Sequence, residues 1–135
     1  MNANDIDKLA RATQDGSMPF PEIVGHLMAQ GTESYQVDFP SRTFTFYSAS
    51  GASLRAPITL EGLPPVAENL DLGALQAAIR DSQQHGQAYL AFCQRAMRAG
   101  VQGYFAFLRG RRVTYLGRQG DQHTEWFPCA ERPEP

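Results

Sequence analysis

Asp121, His123 and Glu125 alternate near the end of the chain, and a spacing of two places side chains on one side of a strand. An imidazole between two carboxylates can relay a proton near neutral pH or hold a first-row divalent cation. His123 and Glu125 are therefore candidate catalytic residues, and Asp121, His123 and Glu125 a candidate metal set. The same stretch also fits a plain edge strand, whose charged outward face discourages pairing with another sheet while Trp126 turns to the core.

Arginine supplies a second constellation. The chain holds eleven Arg and one Lys, and Arg109, Arg111, Arg112 and Arg118 crowd into ten residues. Guanidinium groups capture carboxylate or phosphate in bidentate fashion, so these four are the candidate binding residues. Residues 1–69 carry four basic and eight acidic side chains, and residues 70–135 carry eight and six. This complementarity would allow a partner protein, an anionic ligand or a second copy of the chain to dock, the last making a homodimer. Nucleic acid is a weaker expectation, because the residues show no aromatic stacking platform beside the arginines and the net charge is −2.

Nucleophile chemistry finds less support. Cys93 falls on the apolar stripe of a helix and reads as a small core residue, while Cys129 lies in a C-terminal tail. His26 and His85 occupy ordinary solvent positions. No GxSxG, GxGxxG, phosphate-loop or HExxH pattern occurs. No cofactor is expected, a divalent metal at the Asp121, His123, Glu125 face being the one alternative.

The elements that must position these residues follow from an internal repeat. Offsetting the chain by 69 aligns residues 1–59 with 70–128 without a gap, pairing Arg11 with Arg80, Met28 with Met97, Gly31 with Gly100, Tyr35 with Tyr104 and Arg42 with Arg111. Phe20, Ile23, Val24, Leu27 and Met28 form an amphipathic stripe, and Tyr89, Phe92, Cys93, Ala96 and Met97 repeat it. Each unit predicts two helices, a β-hairpin and a third strand. Ile6, Leu9, Ala10 and Thr13 face the core from the first helix, answered by Leu75, Ala78, Ile79 and Ser82. The second helix of unit one is expected to begin near Ser17. Hairpin turns fall at Pro40–Arg42 and Arg109–Arg111. Tyr104 to Leu108 is apolar on both faces and predicts the more central strand. The expected fold is α+β: two tandem helix-helix-β-hairpin-strand units related by a pseudo-twofold, their antiparallel sheet packed against the helices. Residues 1–128 form one domain, 60–69 a Pro- and Gly-containing linker, and 129–135 a disordered tail.

Composition agrees with a folded chain. At 135 residues and 42% hydrophobic content it can build its own core without metal or disulfide staples, and the two thiols suit a reducing, cytoplasmic setting. Acids occupy the N-terminus where a signal peptide needs positive charge, and no apolar stretch of about 18 residues exists to span a membrane.

The stretches MPFPEIVGHLMAQGTESYQVDF, AAIRDSQ and AGVQGYFAFLRGRRVTYLGRQGDQHTEWFP resemble the domain-of-unknown-function family 1398, the YdfO-like and YbcV-like prophage-associated proteins. The resemblance covers nearly the whole chain and implies a small α+β fold of bacterial, phage-derived origin. It implies no catalytic role, because the family has no characterised activity. The reading that unites these observations is a non-enzymatic accessory domain that binds a protein partner or small ligand through the arginine-rich hairpin and the third strand of the second unit. The alternative is a small metal-dependent or acid/base enzyme built on Asp121, His123 and Glu125.

Overall fold

The computed structural model describes residues 1–128. The expected tail at 129–135, with Cys129, lies outside the described residues. Asn2 caps helix α1 (Ala3–Asp15) by accepting from the amides of Asn4 and Asp5, and Gly16 stops it in the left-handed conformation. Helix α2 (Phe20–Ala29) starts three residues later than the predicted Ser17, because Pro19 sits extended as its N-cap and Pro21 fits the first turn, where no amide partner is lost. Strands β1 (Thr32–Asp38), β2 (Thr43–Ser48) and β3 (Ser53–Pro57) follow. The plan then recurs. Asp71 caps α3 (Leu72–His85), and α4 (Tyr89–Arg98) leads into β4 (Val101–Phe107), β5 (Arg112–Gly117) and β6 (Gln122–Trp126).

The six strands form one antiparallel sheet in the order β3-β2-β1-β4-β5-β6. β1 and β4 are therefore equally central, and the double apolar face of β4 has a reason other than burial on both sides. Tyr35, Val37, Phe39, Phe44, Phe46, Ala56, Tyr104, Ala106, Leu108 and Tyr115 turn to one side and are buried with Ile6, Ile23, Leu27, Leu75, Phe92 and Met97 of the helices. Burial of such side chains at roughly 25 cal/mol per Å² of apolar surface is the main force holding helices to sheet. The opposite face of the sheet carries no helix side chain in this core, and its residues are half-buried or exposed.

The two amphipathic stripes are not equally covered. Phe92, Cys93, Ala96 and Met97 of α4 are buried, whereas Phe20 and Met28 of α2 remain 38% and 46% exposed. Residues 60–69 account for the difference. They form neither helix nor strand, as their prolines predict, yet Leu60, Leu63 and Val66 pack on the core, Gln94 donates to the Gly62 carbonyl, and the Ala67 amide donates to Met97.

Candidate functional site

β6 is placed by its pairing with β5, and the register settles which way its side chains point. His123 lies opposite Tyr115 and Glu125 opposite Val113, so both share the helix-packed side of the sheet. Thr124 and Trp126 lie opposite Thr114 and Arg112 on the other side. The edge-strand expectation is thus corrected. The charged residues turn inward at the margin of the core and Trp126 turns out, because register with Tyr115, a buried residue, sets the parity of the whole strand.

His123 Nε2 and Glu125 Oε1 sit 2.7 Å apart, with their side chains 17% and 30% exposed. His123 is also the cross-strand neighbour of Tyr115. Burial pushes the Tyr115 phenol up, with Tyr35 and the Glu125 carboxylate adding to it. Asp121 is exposed ahead of the strand, and no group of three His, Cys, Asp or Glu side chains gathers around a metal-sized space among the described residues. The geometry joins His123 to Glu125 and leaves Asp121 apart.

The four arginines also divide. Arg109 and Arg112 line one shallow concavity of about 560 Å³, shared with Glu33, Phe107, Thr114 and Thr124. Arg109 and Arg111 border a second of about 380 Å³, where Val24, Met28 and Phe127 lie. Arg118 follows the far end of β5, about 20 Å away at strand rise, and donates to the Val66 carbonyl of the linker. Arg111 takes a left-handed φ of 55°, as Arg42 does at 58° in the other hairpin, so the turn explains its conformation.

The open face of β4, β5 and β6 holds what the sequence reading missed. Phe105 pairs with Gln36 and Thr114, and Phe107 with Ser34 and Arg112, which sets both rings on the helix-free side. Their planes lie 11° apart with centroids at 5.7 Å, and Phe107 is 36% exposed. Beside them the Arg112 guanidinium lies 4.7 Å over the Trp126 ring, a cation–π contact. Thr114 and Thr124 hydrogen-bond at 3.0 Å in the next rung. An i, i+2 aromatic pair in a strand was the available signal. It was masked because Tyr104, Ala106 and Leu108 between and around the rings are apolar as well.

Other reactive groups are structural. Burial pushes the Cys93 thiol up to about 12, which leaves it protonated and inert. The hydroxyls of Tyr89 and Tyr104 hydrogen-bond to each other inside the core, and burial raises both phenols well above their ordinary value. No family model matches the chain, and no curated protein matches it. No helix among the described residues is long and apolar enough to cross a membrane.

Proposed function

We propose that this chain is a non-enzymatic accessory domain that binds a small ligand or partner on the open face of β4, β5 and β6. The observation that carries the reading is the near-parallel pair of half-buried Phe105 and exposed Phe107 set beside Arg112 on a face no helix covers. Apolar rings left in water flanked by donors mark a contact surface, since a sheet that served only as scaffold would turn polar side chains outward there. Arg109 and Arg112 supply the charge and Thr114 and Thr124 the orienting hydroxyls; Arg111 and Arg118 belong to the turn and the linker.

Two internal copies are part of this reading. Each strand of the second half begins 69 residues after its counterpart, Thr32 answering to Val101, Thr43 to Arg112 and Ser53 to Gln122, as do α2 and α4. The cross-strand pair Gln36 and Phe105 would then lie on a pseudo-twofold axis between β1 and β4. Membership of family 1398, with its prophage association, rests on the three sequence blocks. A buried free thiol at Cys93 supports a reducing, cytoplasmic setting.

The test is amide-shift mapping of the full chain with benzoate and quinoline as probes. Shifts centred on Phe105, Phe107, Arg112 and Thr114 that disappear in an Arg109→Glu, Arg112→Glu double variant are expected. Shifts centred instead on the α2 concavity, or none, would overturn the assignment. Self-association is read from the same samples by sedimentation, where charge reversal at Arg111 and Arg112 is expected to lower any dimer fraction without unfolding the domain.

The 2.7 Å contact of His123 with Glu125 favours a second reading, acid/base or metal-dependent catalysis. A carboxylate that accepts from one ring nitrogen holds the other ready for a proton or a cation. Zn, Mn, Ni or Mg would then raise the unfolding midpoint of the wild type and not of His123→Ala. At 100 times its dissociation constant an ion adds about 2.7 kcal/mol, several degrees in a domain of this size.

A further inference from the structure

We infer that the ligand of this open face is a single-stranded nucleic acid whose bases stack on Phe105, Phe107 and the Arg112–Trp126 pair, an inference that rests on the binding reading given above. Near-parallel rings two residues apart on a central strand, Phe105 half-buried and Phe107 exposed, put aromatic surface on the open face, and base–aromatic stacking is the sequence-tolerant contact that single-strand binders use. Arg112, 4.7 Å from the Trp126 ring centroid, adds a planar cation on which a further base can stack.

Charge on this surface points the same way. From β4, β5 and β6 no Asp or Glu side chain turns to the open face, because Glu125 turns inward with His123. Of the residues around the larger concavity, Arg109 and Arg112 are basic and only Glu33 is acidic, 3.5 Å from Arg109, with side chains 46% and 69% exposed for Glu33 and Arg109. Such an exposed pair is weak and open to competition by a phosphate. Gln122, Thr114 and Thr124 add neutral donors and acceptors for base edges.

Alternative occupants fit less well. A second copy would need an acidic surface to meet these arginines, yet the corresponding face of β1, β2 and β3 carries Asp38 and Arg55 in balance, with Ser34, Thr45 and Tyr47 between. A duplex hides the π faces that the rings would contact, and a broad sheet face enters neither groove as a helix or a two-stranded ribbon does.

The decisive experiment titrates the full chain against labelled oligo(U) and oligo(dT) of roughly ten nucleotides, with a duplex of equal length, at low salt. Trp126 is the only tryptophan, so its emission reports the face directly while anisotropy reports affinity. Both single strands should bind and quench Trp126 while the duplex binds more weakly. Phe105→Ala and Phe107→Ala should each weaken binding roughly 5- to 150-fold, and Thr45→Ala on the other half of the sheet should leave it unchanged. With two phosphates neutralised, log affinity should fall against log salt with a slope of about −1.4. Thermal unfolding of each variant separates loss of the face from loss of the fold. Absent binding by the wild type, equal binding of the duplex, or retained affinity in folded Phe105→Ala and Phe107→Ala overturns the inference. If benzoate and quinoline still map to the face while no oligonucleotide binds, this inference fails and the binding reading stands; if neither probe maps there, both fail.

Discussion

The two halves of the sheet follow the same element order with different side chains, and the difference separates residues that hold the fold from those that packing leaves free. Strands β1, β2 and β3 turn Ser34, Gln36, Asp38, Thr43, Thr45, Tyr47 and Arg55 to the open side; strands β4, β5 and β6 turn Phe105, Phe107, Arg112 and Trp126 there, with Thr114, Gln122 and Thr124. On the helix side both halves are mainly apolar; Thr32 and Ser48 are buried at the end of β1 and β2, and at the β6 edge His123 and Glu125 answer to Leu54 and Ala56 of β3. Polar residues placed where packing does not ask for them are the ones that need a functional reason.

The largest test of the comparison lies in the core. Leu27 and Ala96 occupy matching positions on α2 and α4 and are both fully buried, so the same position carries different bulk in the two helices. Leu27→Ala should lower stability by about 2–5 kcal/mol through lost contacts and a cavity. Ala96→Leu should also destabilise, by about 1–3 kcal/mol, since the tightly packed interior has no room for three more carbons. Urea unfolding measures both, and a neutral Ala96→Leu would mean that α4 is packed more loosely than its burial indicates.

Gly31 and Gly100 sharpen the contrast next. Both end a helix with φ of 82° and 94°, but a Cβ on Gly31 would meet nothing within 4 Å, whereas on Gly100 it would fall 2.3 Å from the Asn69 carbonyl oxygen. Gly31→Ala should cost about 1–2 kcal/mol, the left-handed penalty alone. Gly100→Ala must also displace the linker backbone and should cost more. Equal melting points for the two variants would show that residues 60–69 are not pressed on α4.

Much of this architecture was legible in the residues. The i, i+3, i+4 stripes, the glycine stops and the two hairpin turns all mark elements that local chemistry specifies, and the structure has them within a few residues. The site was less legible because a strand's side-chain parity depends on its neighbour. Tyr104 to Leu108 is apolar throughout, so period two cannot say that Tyr104 faces the helices and Phe105 the solvent. Gln122 to Trp126 offers no apolar alternation, and only pairing with Tyr115 sends His123 inward. The grouping of Arg118 with the other arginines failed for a similar reason: adjacency in sequence spans the length of a strand in space.

A smaller effect follows from Cys93 and its partner position, Val24, which is partly buried on α2. The thiol is pushed up to about 12 in the folded chain from an ordinary value near 9, as the burial of its charged form requires. Its contribution is whole below about 9 and declines as pH rises toward 12, because above 9 the unfolded chain binds fewer protons than the folded one. A Cys93→Val variant, which copies the α2 residue, should therefore lose less stability between pH 9 and 12 than the wild type. Identical alkaline profiles by circular dichroism would mean that the buried tyrosines alone govern this range.

The smallest expected change is at the turns, where the halves agree. Arg42 and Arg111 both hold a left-handed φ that favours glycine, so Arg→Gly removes about 1–2 kcal/mol of strain while adding about 0.5–1 kcal/mol of unfolded-state entropy. Each variant should end about 0–1.5 kcal/mol more stable than the wild type. Arg111 also borders the concavity with Val24, Met28 and Phe127, and its long apolar stem shields those groups from water. Arg111→Gly should accordingly gain less than Arg42→Gly in paired melting curves. If Arg111→Gly gains as much, its side chain contributes nothing to that surface.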